Sequence, residues 1–187
     1  MAEPIRSLPF TYDDYLLLPE DGPRYELIEG ELLMTPAPLM GHQRLSSRLH
    51  VRIGSFVERH GLGEVFAAPT DVYLSPTNVV QPDLLFVAKE HLDRVVRACL
   101  QGPPDLVIEI LSDGSRERDE VAKLRLYAKF GVPEYWLADA FRQAVRVHRL
   151  ANGTYRMVAE LGAEAGDHLT SPLLPGLDID LAELFDR

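Results

Sequence analysis

Apolar and polar residues follow two different periods along the chain, and these periods predict both helices and strands. Apolar residues recur every three or four positions from about His42 to His60, which predicts an amphipathic helix. A second long helix is predicted from about Arg116 to Phe130, because Gly131 and Pro133 follow it in the order typical of a helix end. Shorter helices are predicted at Thr11–Leu18 and near Glu90–Leu100.

Several shorter segments have the composition and flanking turn signals of strands. The most apolar of them, Asp105–Leu111, is typical of a central strand covered on both faces. Asn152-Gly153 is a strong hairpin signal, whereas the tail from Gly162 resembles a loop ending in a helical turn near Ile179–Phe185. The remaining predicted strands are Tyr25–Ile28, Glu31–Met34, Glu64–Ala67, Asp71–Leu74, Leu84–Val87, Glu134–Ala138, Ala144–Leu150 and Tyr155–Glu160. This mixture predicts an α/β or α+β fold with one mixed sheet.

Length and composition narrow the class of protein. The chain has 187 residues, so we expect a single domain over residues 1–187. It contains no run of about 18 apolar residues, which predicts that no helix crosses a membrane. The start MAEPIRSLPF lacks the pattern of a signal peptide, and Cys99 is the only cysteine. Both features favour a cytoplasmic location.

The net charge of −10 is concentrated near the two ends of the chain. Residues 1–35 hold eight acids and two bases, and residues 158–187 hold seven acids and one base. A strongly acidic chain is a poor candidate for tight, nonspecific binding to duplex DNA. The middle of the chain is slightly basic, however, so a local surface for nucleic acid stays possible.

Glu109 is an acid inside the apolar segment DLVIEIL. Strand alternation puts it on the same face as Val107 and Leu111, and burying an unpaired carboxylate is costly or forces its protonation. Two interpretations remain open. Glu109 either lies at the end of the strand against solvent or an arginine, or it faces a second carboxylate across a metal site.

Asp83 is the candidate for that second carboxylate, because Gln81-Pro82-Asp83 opens the predicted strand Leu84–Val87. Two acids on adjacent strands are the minimum for holding Mg²⁺, which prefers carboxylate oxygens together with water and phosphate. The pair Pro-Asp is also common in turns, and Asp105 is a rival acid that more simply starts its own strand.

An ordered set of segments, YELIEGELLMTPAP, VQPDLLFV, PPDLVIEILS and DEVAKLRLYAKFGVPEYW, resembles the Uma-type restriction endonuclease family of the PD-(D/E)XK nuclease superfamily. The resemblance extends roughly from Thr11 to Leu150. It implies a restriction-endonuclease-like fold, in which helices flank a central mixed sheet and β-hairpins are added near both ends. It also implies a DNA endonuclease that uses Mg²⁺, or Mn²⁺ in its place.

The resemblance further implies roles for individual residues. Asp83 and Glu109 would be the motif acids that bind Mg²⁺, and Glu26 would add a carboxylate to the catalytic site. In the wider superfamily a lysine lies two residues after the second acid, but here that position is Leu111. The resemblance places the lysine on the following helix instead, at Lys123.

Simpler interpretations exist for two of these residues. Asp119, Lys123 and Tyr127 share one helical face, so Lys123 is equally suited to a surface ion pair with Asp119. Glu26 could lie at the solvated turn next to Glu29. The helical face expected to pack on the sheet consists of Val121, Leu124 and Ala128.

Cations of the predicted helix His42–His60 are candidates for contacting a phosphate backbone. His42 begins the helix, and Arg44, Arg48 and Arg52 follow at four-residue spacing. A solvated helix face explains the arginines equally well, and an exposed histidine at a helix start explains His42.

Three functions therefore remain open. The first is a Mg²⁺-dependent DNA endonuclease that hydrolyses phosphodiester bonds with an activated water. The second is a catalytically impaired nucleic-acid-binding or scaffold protein on the same fold, suggested by Leu111 and by the acidic ends. The third is an enzyme that acts on a smaller phosphate ester. A homodimer is also expected, supported by the predicted hairpin Ala144–Glu160 and the aromatic pair Tyr135-Trp136, since two-fold symmetry is the commonest oligomer.

Overall fold

The computed structural model describes residues 8–19, 23–35, 37–112 and 114–186. The segment Met1–Ser7, which carries most of the start considered for a signal peptide, lies outside the described residues. The helices are α1 Tyr12–Tyr15, α2 Met40–His60, α3 Leu124–Phe130 and α4 Leu181–Phe185. The strands are β1 Arg24–Ile28, β2 Glu31–Thr35, β3 Gly63–Ala67, β4 Val72–Ser75, β5 Asn78–Val80, β6 Leu84–Ala88, β7 Leu100–Gln101, β8 Leu106–Ile110, β9 Glu134–Asp139, β10 Ala144–Ala151, β11 Thr154–Gly162, β12 His168–Ser171 and β13 Leu174–Asp180.

The central sheet has six strands in the order β11-β10-β9-β8-β6-β3. It is mixed, because β8 and β9 are parallel while the other neighbours are antiparallel. A second sheet has the order β2-β1-β5-β4-β7, and β12 pairs with β13 separately. The predicted fold class is confirmed: helices flank a mixed sheet, β1–β2 is the N-terminal hairpin, and β10–β11 is the C-terminal hairpin. The expectation of only one sheet is wrong, because five strands form a second sheet and β12–β13 forms a third.

Both faces of the central sheet are covered, which explains the nearly continuous apolar sequence of β8. One face packs against α2, with Leu49 and Ile53 against Leu106 and Ile108. The other face carries Val107 and packs against α3 and the five-stranded sheet. Glu109 points to this second side by strand alternation.

Ile53→Val is expected to lower the free energy of unfolding by about 1 kcal/mol, because a buried methylene is lost from the α2 core. The matched control is Val51→Ala on the solvent side of the same helix, where the side chain is 63% exposed. That change is expected to stay within about 0.5 kcal/mol of the parent. Urea denaturation of both variants checks the prediction, and equal effects would contradict the assigned helix face.

Two secondary-structure predictions are wrong. The predicted helix Glu90–Leu100 is instead a 3₁₀ segment, Lys89–Arg94, followed by a bridge between Val95 and Leu100. Leu100 pairs in parallel with Val72 in the second sheet, so tertiary strand pairing overrides the helical spacing. The tail from Gly162 also contains the hairpin β12–β13, rather than only a loop before α4.

Two predictions about surfaces are wrong as well. Val121 is exposed; Leu124 packs inward as predicted, but the fully buried residues of that side are Leu126 and Tyr127. Tyr135 and Trp136 are fully buried in the central sheet, so they are not available to a partner subunit. In the part of the chain that the structure describes, no helix has the length and apolar character needed to cross a membrane.

Candidate active site

Asp83 and Glu109 lie side by side because β6 and β8 run antiparallel. Leu84 pairs with Ile108, so Asp83, directly before β6, lies next to Glu109 near the end of β8. The Asp83 backbone N–H donates to Glu109 Oε2 at 3.4 Å, and the Ile110 N–H donates to Asp83 Oδ2 at 2.7 Å. The strand register thus brings together the two acids proposed from the sequence.

Lys123 is buried between carboxylates rather than on the surface. Its Nζ lies 2.8 Å from Oε1 of Glu26 and 2.8 Å from Oε1 of Glu109. Asp119 Oδ1 lies 3.5 Å from the same nitrogen. Lys123 is only 4% exposed and Glu26 only 1%. The interpretations of Lys123 as part of a surface ion pair and of Glu26 as part of a solvated turn are therefore wrong.

A π-helical turn from Arg118 to Lys123 positions the lysine and precedes α3. Such turns are rare and frequently occur at functional sites. Here the turn and the helix after it direct Asp119, Lys123 and Tyr127 inward, and the Tyr127 hydroxyl donates to Glu109 Oε1 at 3.0 Å. The predicted helix Arg116–Phe130 is thus present, but its first part is a π-helical turn, which is wider than an α-helix.

The pKa values of Glu109 and Lys123 reflect the three carboxyl groups that surround the Lys123 ammonium, which belong to Glu26, Glu109 and Asp119. Burial raises the pKa of Glu109 well above its ordinary value, and Lys123 only partly opposes this shift. Burial lowers the pKa of Lys123, but the carboxylates of Glu109, Glu26 and Asp119 outweigh it and raise the pKa well above its ordinary value. Burial therefore dominates the shift at Glu109, whereas at Lys123 the surrounding carboxylates together outweigh burial.

His42 contacts the first of the two acids. Its Nε2 lies 3.0 Å from Asp83 Oδ2, and its side chain is 14% exposed. Its Nδ1 is buried and has no hydrogen-bond partner among the described residues. The alternative of an exposed histidine at a helix start is therefore wrong.

Arg118 and Gln81 belong to the same site, although the sequence did not single them out. Arg118 Nη1 donates to Glu26 Oε2 at 3.3 Å, and the Gln81 backbone N–H donates to Glu26 Oε1 at 2.9 Å. The sequence indicates Asp119 only as a surface partner of Lys123. The available signal was spacing: Asp119 is four residues before Lys123, and Gln81 is two residues before Asp83.

These side chains line one cavity of about 280 Å³. Its polar lining includes the three acids, the lysine and the histidine that the sequence analysis proposes for the site, namely Glu26, Asp83, Glu109, Lys123 and His42. Further charged residues of the lining are Arg24, Arg118 and Asp119. The cavity therefore combines four acids with three permanent cations in one concave site, which is the arrangement expected of an active site.

The structure does not bring the predicted arginines of α2 to this cavity. Arg48 Nη1 donates to the backbone carbonyls of Leu184, at 2.9 Å, and of Asp186. Arg52 Nη2 lies 3.4 Å from the Glu183 carbonyl oxygen, and Arg44 is exposed to solvent. Arg48 and Arg52 thus face the C-terminal end of α4, where the backbone carbonyl groups of the last turn attract cations. Arg44 and Arg48 therefore do not line this cavity, and a contact between them and the substrate stays a prediction.

The donor set around Asp83 and Glu109 suits a hard divalent cation, since it consists of carboxylate oxygens. Among the described residues, both side-chain hydrogen bonds of Asp83 use Oδ2, which leaves Oδ1 for a ligand. No group of three or more histidine, cysteine or acidic side chains in the described ranges is arranged as a ready metal site. Both oxygens of Glu26 accept hydrogen bonds, whereas Lys123 and Tyr127 use only Oε1 of Glu109, so Oδ1 of Asp83 and Oε2 of Glu109 are the pair of oxygens that fits a cation.

Comparison with known proteins gives a consistent picture. The family model described as "Uma2: Putative restriction endonuclease" matches residues 12–182. A crystal structure from Anabaena variabilis ATCC 29413, described as "a putative nuclease belonging to DUF820", has a TM-score of 0.80 and 24% sequence identity, and the match covers 95% of this chain and 98% of that chain. At this identity the likeness shows a shared fold. No curated protein matches the chain significantly. Because the family model spans most of its length, this chain belongs to the Uma2 family of putative restriction endonucleases.

Proposed function

We propose that this protein is a metal-dependent DNA endonuclease that hydrolyses phosphodiester bonds, with Mg²⁺ as the ion and Mn²⁺ as a substitute. One observation carries the proposal: Asp83 and Glu109 lie on adjacent strands in a cavity that also holds the Nζ of Lys123, 2.8 Å from Glu109. Membership of the Uma2 family supports a nuclease. The proposal includes a cytoplasmic location and a homodimer. The homodimer is supported by β11, an exposed strand at the edge of the central sheet.

Phosphodiester hydrolysis needs an activated water and neutralisation of the charge that develops on phosphate. A divalent ion held by Asp83 and Glu109 would supply both. The protein's own hydrogen bonds orient these ligands. The Ile110 N–H and His42 hold Asp83 through Oδ2, while Tyr127 and Lys123 hold Glu109 through Oε1. Such fixed orientation is what a preorganised site requires.

Lys123 is proposed to stabilise negative charge on the phosphate. Glu26 and Asp119 keep the ammonium charged inside the protein, and Glu26 also holds Arg118. We therefore assign Glu26 the role of a positioning residue for two cations. Lys123 replaces, from the π-helical turn, the lysine that the superfamily carries on the strand.

The direct test is incubation of supercoiled plasmid and of labelled oligonucleotides with the protein in Mg²⁺, in Mn²⁺ and in EDTA. Cleavage in either metal, but not in EDTA, is the expected result. Hydrolysis of mononucleotide phosphate esters without cleavage of DNA would favour an enzyme for smaller esters instead.

The metal site is tested independently by thermal unfolding. An ion that binds only the folded state raises the melting temperature, by an amount equivalent to about 2.7 kcal/mol at a hundredfold excess over Kd. We expect Mg²⁺ and Mn²⁺ to raise it. An unchanged melting temperature together with intact DNA would favour the catalytically impaired scaffold protein.

A further inference from the structure

We propose that a second cavity, adjoining the active site, binds the nucleotide next to the scissile phosphate. Arg24 contacts the phosphate of that nucleotide, and Tyr15 and Tyr25 contact its base. This inference rests on the proposed nuclease function and names part of the substrate: a strand that is unpaired at this position.

The second cavity has a volume of about 330 Å³, within the range of small-molecule sites. It shares two lining residues, Arg24 and Gln81, with the cavity that holds Asp83 and Glu109. The two cavities therefore adjoin, and a chain of nucleotides could occupy both.

Gln81 links the two cavities through hydrogen bonds. Its backbone N–H donates to Glu26 Oε1 in the active site. Its side-chain Nε2 donates to Asp71 Oδ1 at 2.7 Å and lies 3.2 Å from the Tyr15 hydroxyl. The Tyr15 hydroxyl donates to the same Asp71 oxygen at 2.9 Å. This network holds one wall of the second cavity in place relative to the active site.

Arg24 lies where the two cavities meet. It is two residues from Glu26 on β1, so both side chains lie on one face of the strand, about 7 Å apart along it. The other cations of the active site, Lys123 and Arg118, are paired with carboxylates. The Arg24 side chain, among the described residues, has no ion pair or hydrogen bond of its own. Its guanidinium is thus free to bind a phosphate by charge-assisted hydrogen bonds.

The walls of the second cavity suit a base. Tyr15 and Tyr25 supply aromatic surface on which a base can stack, and the apolar remainder of the lining consists of Leu16, Leu18, Pro19, Pro23 and Pro69. A base can enter such a cavity only when it has left the duplex stack. The geometry therefore favours single-stranded DNA, or a locally unpaired nucleotide, as the strand held here.

The phosphate contact is tested by fluorescence anisotropy with labelled oligothymidylate, with Ca²⁺ in place of Mg²⁺ so that the probe stays intact. Arg24→Gln is expected to raise Kd about tenfold and to reduce the slope of log K against log salt by about one. Arg24→Lys keeps the positive charge, so the slope of log K against log salt is expected to stay at the parent value. The matched control is Arg59→Gln, which removes the same charge from an exposed position in the last turn of α2 and should leave Kd and slope unchanged.

The base contact is tested with a second probe, an abasic chain of the same length. Tyr25→Leu is expected to weaken binding of oligothymidylate at least fivefold, the lower limit for loss of one stacked base, and to leave binding of the abasic chain unchanged. Tyr25 meets the Gln81–Asp71–Tyr15 network only through its backbone carbonyl, which leucine retains.

The outcomes separate this inference from the nuclease proposal. If the parent protein cleaves DNA but Arg24→Gln behaves like Arg59→Gln, the phosphate contact is overturned and the nuclease stands. If Tyr25→Leu weakens both probes equally, the base contact is overturned. If the folded parent binds neither probe and cleaves no DNA, the proposed function and the second cavity's role both fall.

Discussion

Asp83→Asn is expected to lower the rate of Mg²⁺-dependent plasmid cleavage roughly a thousandfold, equivalent to several kcal/mol of lost transition-state stabilisation. Asparagine has nearly the same size, and its carbonyl oxygen can still accept the hydrogen bond from the Ile110 N–H. It lacks the negative charge with which Asp83 would attract and partly neutralise a divalent ion. The loss should therefore appear in the cleavage rate and not in the fold.

Single-turnover cleavage at saturating protein gives the rate, and circular dichroism checks that the variant is folded. The control is Asp93→Asn, which removes an acid from an exposed position of the 3₁₀ segment and should keep the parent rate. The Mg²⁺-dependent rise in melting temperature should disappear only in Asp83→Asn. More than a tenth of the parent rate in that variant would remove Asp83 from the proposed metal site.

Lys123→Met is expected to lower the free energy of unfolding by about 3–5 kcal/mol at neutral pH, the usual effect of removing one partner of a buried ion pair. Methionine fills a similar volume but leaves Glu109 and Asp119 without a counter-ion among the described residues, while Glu26 keeps its ion pair with Arg118. The matched control is Lys129→Met, because Lys129 is 60% exposed and pairs with an exposed Glu29 at 3.6 Å. That variant is expected to stay within about 0.5 kcal/mol of the parent.

The loss in Lys123→Met should depend on pH in a definite direction. Burial already raises the pKa of Glu109 while Lys123 opposes the shift, so removal of the lysine raises that pKa further. A carboxyl whose pKa is higher in the folded state stabilises the fold below its unfolded pKa, about 4.3, and loses this contribution as pH rises. Urea denaturation should therefore show the smallest difference from the parent near pH 4. A difference that stays constant between acid and neutral pH would contradict the buried carboxyl cluster.

The helix and strand periods in the sequence were sufficient to predict most of the helices and strands. The α2 stripe, the apolar β8 and the Asn152-Gly153 turn each have a local cause: burial of one or both faces, or a backbone with positive φ at 53° and 76°. Segments whose structure depends on distant pairing were not predictable in this way. β7 exists because Leu100 meets Val72, and β12 and β13 exist because they pair with one another.

The sequence alone indicated most of the residues of the candidate active site. An acid within an apolar strand, Glu109, and an acid at the opening of another, Asp83, stand out because charges are rarely buried without a partner. The resemblance added Glu26 and Lys123, the start of the predicted helix added His42, and all five line one cavity. Arg44 and Arg48 do not line it, because helical spacing defines a stripe on α2 but does not say which element faces that stripe.

Only the tertiary structure decided how these side chains interact. Strand register placed Asp83 beside Glu109, and the π-helical turn brought Lys123 within 2.8 Å of both Glu26 and Glu109. It also placed Arg24 at the junction of two cavities, with no acid to neutralise it among the described residues. Local periodicity specifies which face of a helix or strand is buried. The distances that control charge, pKa and ligand access are set by how separate elements pack, and that information is not local to any segment of the chain.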